Sequence, residues 1–211
     1  MAFFERIEPN IEASGSTFLF GILGWGQVGR ITLSHLIDLM QATRVGECST
    51  PALPDVLLSE GDGFGRLPCF EYYFSKKYVP KAFIVTGDVA ISVFNRKQFY
   101  STIEHIVSLA KRVGASRLIA IDGRPGVVGE KIKVFASRPS LAKKGILQGG
   151  EILENAIVES YSGIAVGLSR MYGLDAIGVI VPCENSSPNS RAGLLAFRYL
   201  VNLLDLKETP D

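Results

Sequence analysis

Three glycines spaced as in a dinucleotide-binding turn are the residues with the clearest chemical potential. Gly24, Gly26 and Gly29 follow an apolar run and precede a helical pattern, and Glu47 lies about 20 residues downstream. In such turns the second glycine admits a pyrophosphate and the acid binds a ribose hydroxyl. The bulky Trp25 opposes this interpretation, because the diphosphate must come close to the backbone. The alternative is that small residues let a strand and a helix pack closely, and both interpretations stay open.

Three acidic residues could hold a cation or transfer protons. Asp88, Asp122 and Glu184 each fall at the carboxyl end of a predicted buried strand, where open α/β sheets form their ligand crevices. Carboxylates there could bind Mg²⁺ or act as acid and base. The simpler interpretation is that they cap helices or hydrogen-bond glycine-rich turns, since Asp88 follows Gly87 and Asp122 precedes Gly123. We favour the simpler interpretation and predict no metal and no cofactor.

The histidines and cysteines form no catalytic pattern. His35 lies among apolar residues, and His105 lies on the polar face of a predicted helix. The sequence contains neither G-x-S-x-G nor G-x-x-x-x-G-K-[ST], so neither a hydrolase nucleophile nor a P-loop is expected. Cys48, Cys69 and Cys183 are odd in number and include no C-x-x-C pair. We therefore expect reduced, buried thiols and no catalytic residue.

Aromatic residues concentrate between positions 64 and 83. In a strand, Phe70, Tyr72 and Phe74 share one face, while Tyr73 points to the other. Tyrosine is favoured at protein interfaces because it buries a large area and keeps a polar group. The candidate interface residues are Phe70, Tyr72, Tyr73, Phe74 and Tyr78. The alternative is that this strand packs wholly within its own core.

Apolar strands alternate with helical patterns along the chain. Buried strands are predicted at 17–23, 82–88, 117–123 and 176–182, an alternating strand at 132–136, and short strands at 56–58 and 157–159. Helices are predicted at 28–40, 99–113, 163–172 and 188–204. The alternation predicts a three-layer α/β/α sandwich around a mostly parallel central sheet.

Length, composition and charge predict one globular domain without nucleic-acid or membrane contacts. Residues 17–205 form the expected domain, with a flexible lead-in at 1–16 and a short tail at 206–211. The net charge of +1 removes the electrostatic case for nucleic acid or an anionic membrane. Apolar residues make up 47% and charged residues only 20%, which favours a homo-oligomer that hides part of its surface. With no secretory signal or membrane span visible, a cytoplasmic protein is expected.

The opening glycine block resembles the signature of the proteasome assembly chaperone family, type 2. The block is Phe20-Gly21-Ile22-Leu23-Gly24-Trp25-Gly26-Gln27-Val28-Gly29, followed by His35-Leu36-Ile37. Later blocks occur in the family's order: Ile84-Val85-Thr86-Gly87-Asp88, Ile119-Ala120-Ile121-Asp122-Gly123, Tyr161 to Leu168, and Ala176 to Pro182. The resemblance extends over residues 17–205, and the order and spacing of the blocks carry it.

The resemblance implies a purine nucleoside phosphorylase-like α/β/α sandwich and a non-catalytic role. Family members form homo- or hetero-oligomers, and eukaryotic and archaeal members help to assemble the α-subunit ring of the proteasome. Members that bind the proteasome often end in a hydrophobic-Tyr-any tail, whereas this sequence ends Lys207-Glu208-Thr209-Pro210-Asp211. We therefore expect contact through another surface or through a partner subunit that carries such a tail.

Three functional hypotheses follow from these observations. The leading one is a non-enzymatic assembly chaperone or scaffold that acts as an oligomer, with itself and proteasome α subunits as partners. The second is an NAD(P)- or FAD-binding enzyme that uses the turn from Gly24 to Gly29 and Glu47. The third is a phosphorylase- or hydrolase-like enzyme that uses Asp88, Asp122 and Glu184.

Overall fold

A nine-stranded mixed sheet lies between two layers of helices in the computed structural model, which describes residues 2–59, 61–91, 95–127 and 130–208. The strands are β1 (Phe4–Ile7), β2 (Thr17–Phe20), β3 (Thr43–Ser49), β4 (Leu58–Ser59), β5 (Gly65–Arg66), β6 (Phe70–Ser75), β7 (Tyr78–Val79), β8 (Ala82–Gly87), β9 (Arg117–Pro125), β10 (Lys133–Ala136), β11 (Glu151–Ile152), β12 (Asp175–Cys183) and β13 (Lys207–Glu208). The large sheet has the order β1-β3-β6-β8-β2-β9-β12-β10-β11, while β4 pairs with β5 and β7 with β13.

Parallel pairing is concentrated in the middle of the large sheet. Strands β8, β2, β9 and β12 run parallel to one another. On one side β1, β3 and β6 are antiparallel, and on the other β10 is antiparallel to β12 and parallel to β11. The segment 76–81 between β6 and β8 is too short for a crossover helix, so these two strands must run in opposite directions. The α/β class is therefore confirmed, with antiparallel strands added at both sides of a parallel centre.

Five helices cover the two faces of the sheet in the described part of the chain. They are α1 (Val28–Met40), α2 (Arg96–Arg112), α3 (Pro139–Leu147), α4 (Tyr161–Met171) and α5 (Ser190–Leu204). Strand β2 shows the layering, since Phe18 and Phe20 face the core of α2 and α4, and Leu19 faces that of α1, α3 and α5. Double coverage explains why the central strands are continuously apolar. None of these helices is both long enough and apolar enough to cross a bilayer.

The N-terminal residues correct the prediction of a flexible lead-in at 1–16. Residues Phe4–Ile7 form β1, which pairs antiparallel with β3. Phe3 and Ile7 pack against the core, and Ala13 is fully buried. The prediction failed because four residues of alternating burial give too short a pattern to distinguish a strand from a loop.

Other boundaries also differ from the predictions. Strand β3 (Thr43–Ser49) was not predicted, because only Val45 and Cys48 of its residues are buried. Strand β2 ends at Phe20, and the predicted strand at 157–159 is a loop. In the predicted tail, Lys207 and Glu208 pair with β7, and residues 209–211 lie outside the described ranges.

Candidate functional site

The glycines after β2 lie where backbone segments approach one another. Gly26 has a φ of +61°, and a Cβ there would lie 2.6 Å from the Sγ of Cys183. A Cβ on Gly29 would lie 2.6 Å from both the carbonyl oxygen of Ile121 and the hydroxyl of Tyr161. A side chain at either position would therefore displace atoms of the core. The geometry fits the interpretation that these glycines allow close packing.

The loop after β12 closes over this glycine turn. The amide of Asn189 donates to the carbonyl of Gly26 at 2.9 Å, and the indole Nε1 of Trp25 donates to the carbonyl of Cys183 at 3.2 Å. A Cβ on Gly24 would collide with the Asp122 carboxylate. Because Gly26 is buried under this loop, a pyrophosphate cannot approach the backbone there as it does in dinucleotide-binding turns.

Glu47, the acid that was predicted to bind a ribose hydroxyl, lies in another part of the sheet. Glu47 is on β3, which β6 and β8 separate from β2. Its carboxylate pairs with Arg6 at 3.0 Å and with Arg44 at 2.9 Å. In a dinucleotide-binding fold this residue would come from the strand beside the glycine turn. The dinucleotide interpretation of Gly24, Gly26, Gly29 and Glu47 therefore lacks both an accessible second glycine and its acid.

The structure does not bring the three predicted carboxylates together. Asp88 forms a two-armed pair with Arg66, with Nη1–Oδ2 at 2.6 Å and Nη2–Oδ1 at 3.1 Å. Burial alone raises the pKa of Asp88, but the hydrogen bond and charge of Arg66 outweigh it, so the pKa lies below its ordinary value. Glu184 is exposed and borders a separate groove next to α5. Asp122 is buried inside a cavity. A shared metal or acid–base site of Asp88, Asp122 and Glu184 is therefore not formed.

Two other clusters in the described ranges place potential metal ligands within 4.8 Å of one another. They are Glu5 with Cys48 and His105, and Cys69 with Glu71 and Asp88. In each cluster an arginine already pairs with a carboxylate: Arg112 with Glu5, Arg66 with Asp88 and Arg44 with Glu71. Burial also raises the thiol pKa of Cys48 and Cys69 to about 11, which disfavours the thiolate that a metal needs. These surroundings favour ion pairs over a bound cation.

A cavity of about 590 Å³, here called the strand-end cavity, opens at the carboxyl ends of β2 and β9. The loop 153–160 and the start of α4 form its other side. Most of its wall is apolar and includes Ile22, Leu23, Ile91, Phe99, Leu153 and Val158. Parallel α/β sheets bind ligands at this place in the fold. The strand-end cavity is therefore the best-formed candidate for a small-molecule site.

Asp122 is a buried acid in the wall of the strand-end cavity, and the residue as a whole is 3% exposed. Glu159, which also lines the cavity, is exposed. The amide of Gly123 donates to its Oδ1 at 2.8 Å. Burial raises the pKa of Asp122 to about 7, although the hydrogen bond from the Gly123 amide and the nearby hydroxyls of Ser160 and Tyr161 act in the opposite direction. At neutral pH this group can therefore hold or release a proton, or accept a hydrogen bond, in largely apolar surroundings.

The aromatic candidates divide into core and surface. Phe70 and Tyr72 are completely buried in the chain's own core. The prediction that they belong to an interface is therefore corrected, because they cannot contact another protein. Strand β6 lies between β3 and β8, and its two faces are covered, which explains their burial. Tyr73, Phe74 and Tyr78 are partly buried and pack against the two cores. The first two point to opposite faces, in agreement with the strand alternation.

The structure has an exposed apolar surface on β4, β5 and their flanking residues, which the sequence did not predict. Val56, Leu57, Phe64 and Leu67 are between 46% and 67% exposed. We call the segment 56–67, which is described except for residue 60, the apolar hairpin. The sequence predicts a short strand at 56–58, and the structure has β4 at Leu58–Ser59. The turn-rich local sequence does not show that the apolar side chains of this segment remain exposed.

Comparison with solved structures shows which class of protein shares this fold. The fold matches PbaB from Pyrococcus furiosus, described as an archaeal proteasome activator, with a TM-score of 0.86 over 98% of this chain and 91% of that chain at 16% identity. It matches PbaA from the same organism, described as an archaeal homolog of proteasome-assembly chaperone, with a TM-score of 0.81 over 99% and 88% at 18% identity. The chain thus has the α/β fold of these proteins.

The family follows from the sequence. The chain belongs to the PAC2 family, whose model matches residues 18–210, and the resemblance noted from the glycine blocks is confirmed. The uncharacterized protein MJ1210 of Methanocaldococcus jannaschii is 28% identical over 141 residues, which are 65% of this chain and 52% of that protein. The chain therefore spans about half the length of this curated relative.

Proposed function

We propose that this chain is a non-enzymatic assembly factor of the cytoplasm that acts as a homo-oligomer and binds proteasome α subunits. The family match over residues 18–210 carries the proposal. The descriptions of the similar structures, a proteasome activator and a homolog of proteasome-assembly chaperone, support a proteasome-related partner.

The arrangement of the predicted chemical groups supports a role without catalysis. The glycine turn is enclosed by the loop after β12, and Asp88 and Glu184 lie apart from Asp122. Among the described residues, the carboxylates of both potential metal clusters are paired with arginines. Protein–protein contact is the function that fits these features together.

The apolar hairpin is the surface that we assign to the α-subunit contact. Exposed apolar groups concentrated in one short segment are typical of interaction sites. The hairpin is held to the sheet, because Arg66 on β5 pairs with Asp88 after β8. Leu57 also packs over Gly65, where a Cβ would lie 2.7 Å from its Cδ2. A surface held in place before binding loses less conformational entropy on association.

The test replaces Leu57, Phe64 and Leu67 together with Ser and measures capture of purified proteasome α subunits from the source organism. We expect the affinity to fall at least about tenfold, because each substitution removes apolar contact area worth roughly 1 kcal/mol or more. The matched control replaces Leu147 and Met171 with Ser, since these apolar residues are even more exposed, at 81% and 80%, but lie at the ends of α3 and α4. The control variant should bind as the natural chain does.

Light scattering at micromolar concentration tests the oligomer. We expect a mass that is a multiple of 22.9 kDa for the natural chain. A monomer that captures no α subunit contradicts the proposal. Loss of capture in the Leu147 and Met171 control, with the hairpin variant unaffected, would instead reject the hairpin as the contact.

A further inference from the structure

We propose that the strand-end cavity binds a small organic amine, with the apolar body of the ligand inside the cavity and its ammonium group on the carboxylate of Asp122. This inference is independent of the proposed assembly function, since the apolar hairpin and the cavity are formed by different residues. Nothing in the assembly role requires an enclosed carboxyl group in an apolar chamber.

The size and lining of the cavity suit a small ligand. Its volume of about 590 Å³ lies within the range of ligand pockets, roughly 300–1,000 Å³. Such sites are mainly apolar and contain a few polar groups that orient the ligand. Here Ile22, Phe99 and Leu153 provide apolar wall, while Asp122 provides an enclosed hydrogen-bond acceptor.

The charges around the cavity favour a cationic ligand. The acids that line it are Asp122 on β9 and Glu159 before α4. The lining cation, Arg124, is engaged by an ion pair with Glu130 and by the Pro125 carbonyl, to which its Nη1 donates at 3.1 Å. An enclosed carboxylate is costly unless a positive group pairs with it, and an ammonium ion supplies that pair.

The hydrogen-bonding groups next to Asp122 also leave a role for a donor on the ligand. From α4, Tyr161 donates its hydroxyl hydrogen to the carbonyl of Ile121, and its pKa is raised well above the ordinary value, so it is uncharged. From β12, Cys183 is a thiol whose pKa burial raises. The carboxylate of Asp122 has about four lone-pair positions. The Gly123 amide takes one, and the Ser160 and Tyr161 hydroxyls lie close to it, so at least one position is left for a donor on the ligand.

Binding of an amine should depend on pH in a defined direction. The ammonium group needs the ionised carboxylate, and burial raises the pKa of Asp122 to about 7. Below this pH the carboxyl group must lose its proton before the amine can pair with it. The affinity should therefore fall by up to about tenfold for each pH unit below 7 and level off above 7.

Trp25 provides the measurement, because it is the only tryptophan of the chain and it lines the cavity. The probes are phenethylamine and its neutral counterpart phenethyl alcohol, and tryptophan fluorescence is titrated with each. We expect a saturable change with phenethylamine, with an affinity about fivefold higher at pH 7 than at pH 6. The alcohol should bind more weakly and without this pH dependence.

Three variants complete the test. Asp122→Asn should remove both the preference for the amine and its pH dependence, whereas Glu184→Gln, at the exposed end of β12, should leave both unchanged. If Asp122→Asn does not fold, Ala156→Phe at the exposed rim of the cavity gives a second measurement, because added bulk should weaken both probes. Equal binding of the two probes, or no saturable change with phenethylamine, overturns the proposal. Capture of α subunits by folded Asp122→Asn keeps this result separate from the assembly function.

Discussion

Two helical glycines show that the same residue type has different structural roles in this chain. Gly29 lies in the first turn of α1, where a Cβ would lie 2.6 Å from the backbone of β9 and from Tyr161. Gly167 lies in α4, is exposed and has no atom of another part of the described chain within 4 Å of such a Cβ. Close approach of the chain requires the first glycine, while the second only lowers helix propensity.

Substitution by alanine should therefore have opposite effects at the two positions. We expect Gly29→Ala to lower the free energy of unfolding by about 1–3 kcal/mol, because the methyl group must displace core atoms. Gly167→Ala should raise it by about 0.5–1 kcal/mol, since alanine reduces the freedom of the unfolded chain. Urea unfolding of both variants checks this, and stabilisation by Gly29→Ala would show that its close contacts do not constrain the fold.

At the scale of single residues, the sequence predicts the spacing of the glycines but not the residues that they contact. The G-x-G-x-x-G pattern locates the turn between β2 and α1 correctly. It does not show that Trp25 hydrogen-bonds to Cys183, a residue 158 positions away, or that the loop after β12 covers Gly26. Access to a glycine depends on such long-range contacts, so a packing turn and a phosphate-binding turn have the same local sequence.

At the scale of elements, a single acid connects the N-terminal strand to the rest of the fold. The Oε1 of Glu5 on β1 lies 3.0 Å from the Nε2 of His105 and accepts the Tyr72 hydroxyl at 2.9 Å. Its Oε2 pairs with Arg112 on α2. Burial raises the pKa of Glu5, but these hydrogen bonds and the charge of Arg112 outweigh it, so the pKa lies below its ordinary value.

Glu5→Gln should weaken the attachment of β1. A depressed carboxyl pKa contributes stability above its unfolded value of about 4.5 and loses that contribution as the pH falls. We expect the free energy of unfolding to fall by about 1–3 kcal/mol at pH 7, with a difference that shrinks as the pH falls below about 4. The control is Glu8→Gln, whose side chain is exposed beyond the end of β1. An equal loss in both variants would reject the assigned role of Glu5.

The elements that the sequence predicts well are those whose burial is uniform. Strands β8, β9 and β12 and helix α1 were predicted closely, because each is a long apolar run or a clear helical stripe. Strand β3 was missed because one charged residue and a glycine separate its two buried side chains. Whether an outer segment forms a strand depends on its pairing with neighbours such as β1 and β6. A short stretch of sequence does not contain this information.

At the scale of the whole molecule, groups with opposite pKa shifts determine how stability varies with pH. The raised pKa of Asp122 favours the folded state below about pH 4, and this contribution is lost as the pH rises toward 7. The lowered pKa values of Glu5 and Asp88 act in the other direction, since their contributions are lost as the pH falls below about 4. The two trends together place the maximum of stability near pH 4, on the acid side of neutrality.

Urea unfolding from pH 4 to pH 8 checks this expectation. The natural chain should lose up to about 4 kcal/mol between pH 4 and pH 8, and Asp122→Asn should remove most of that slope. Glu184→Gln should retain the natural profile, because Glu184 is exposed. A natural chain that is most stable at neutral pH, with Asp122→Asn following the same curve, would contradict the assigned titration.

The three thiols give this molecule a built-in set of reporters of local opening. Cys48 lies on β3, Cys69 precedes β6, and Cys183 ends β12, and all three are buried. A thiol-reactive reagent in solution can therefore modify each sulfur only when the surrounding structure opens locally. In variants that keep a single cysteine, the rate of modification would report how often one region opens to water. Cys48 reports on the N-terminal edge of the sheet, Cys69 on the base of the apolar hairpin, and Cys183 on the loop that covers the glycine turn.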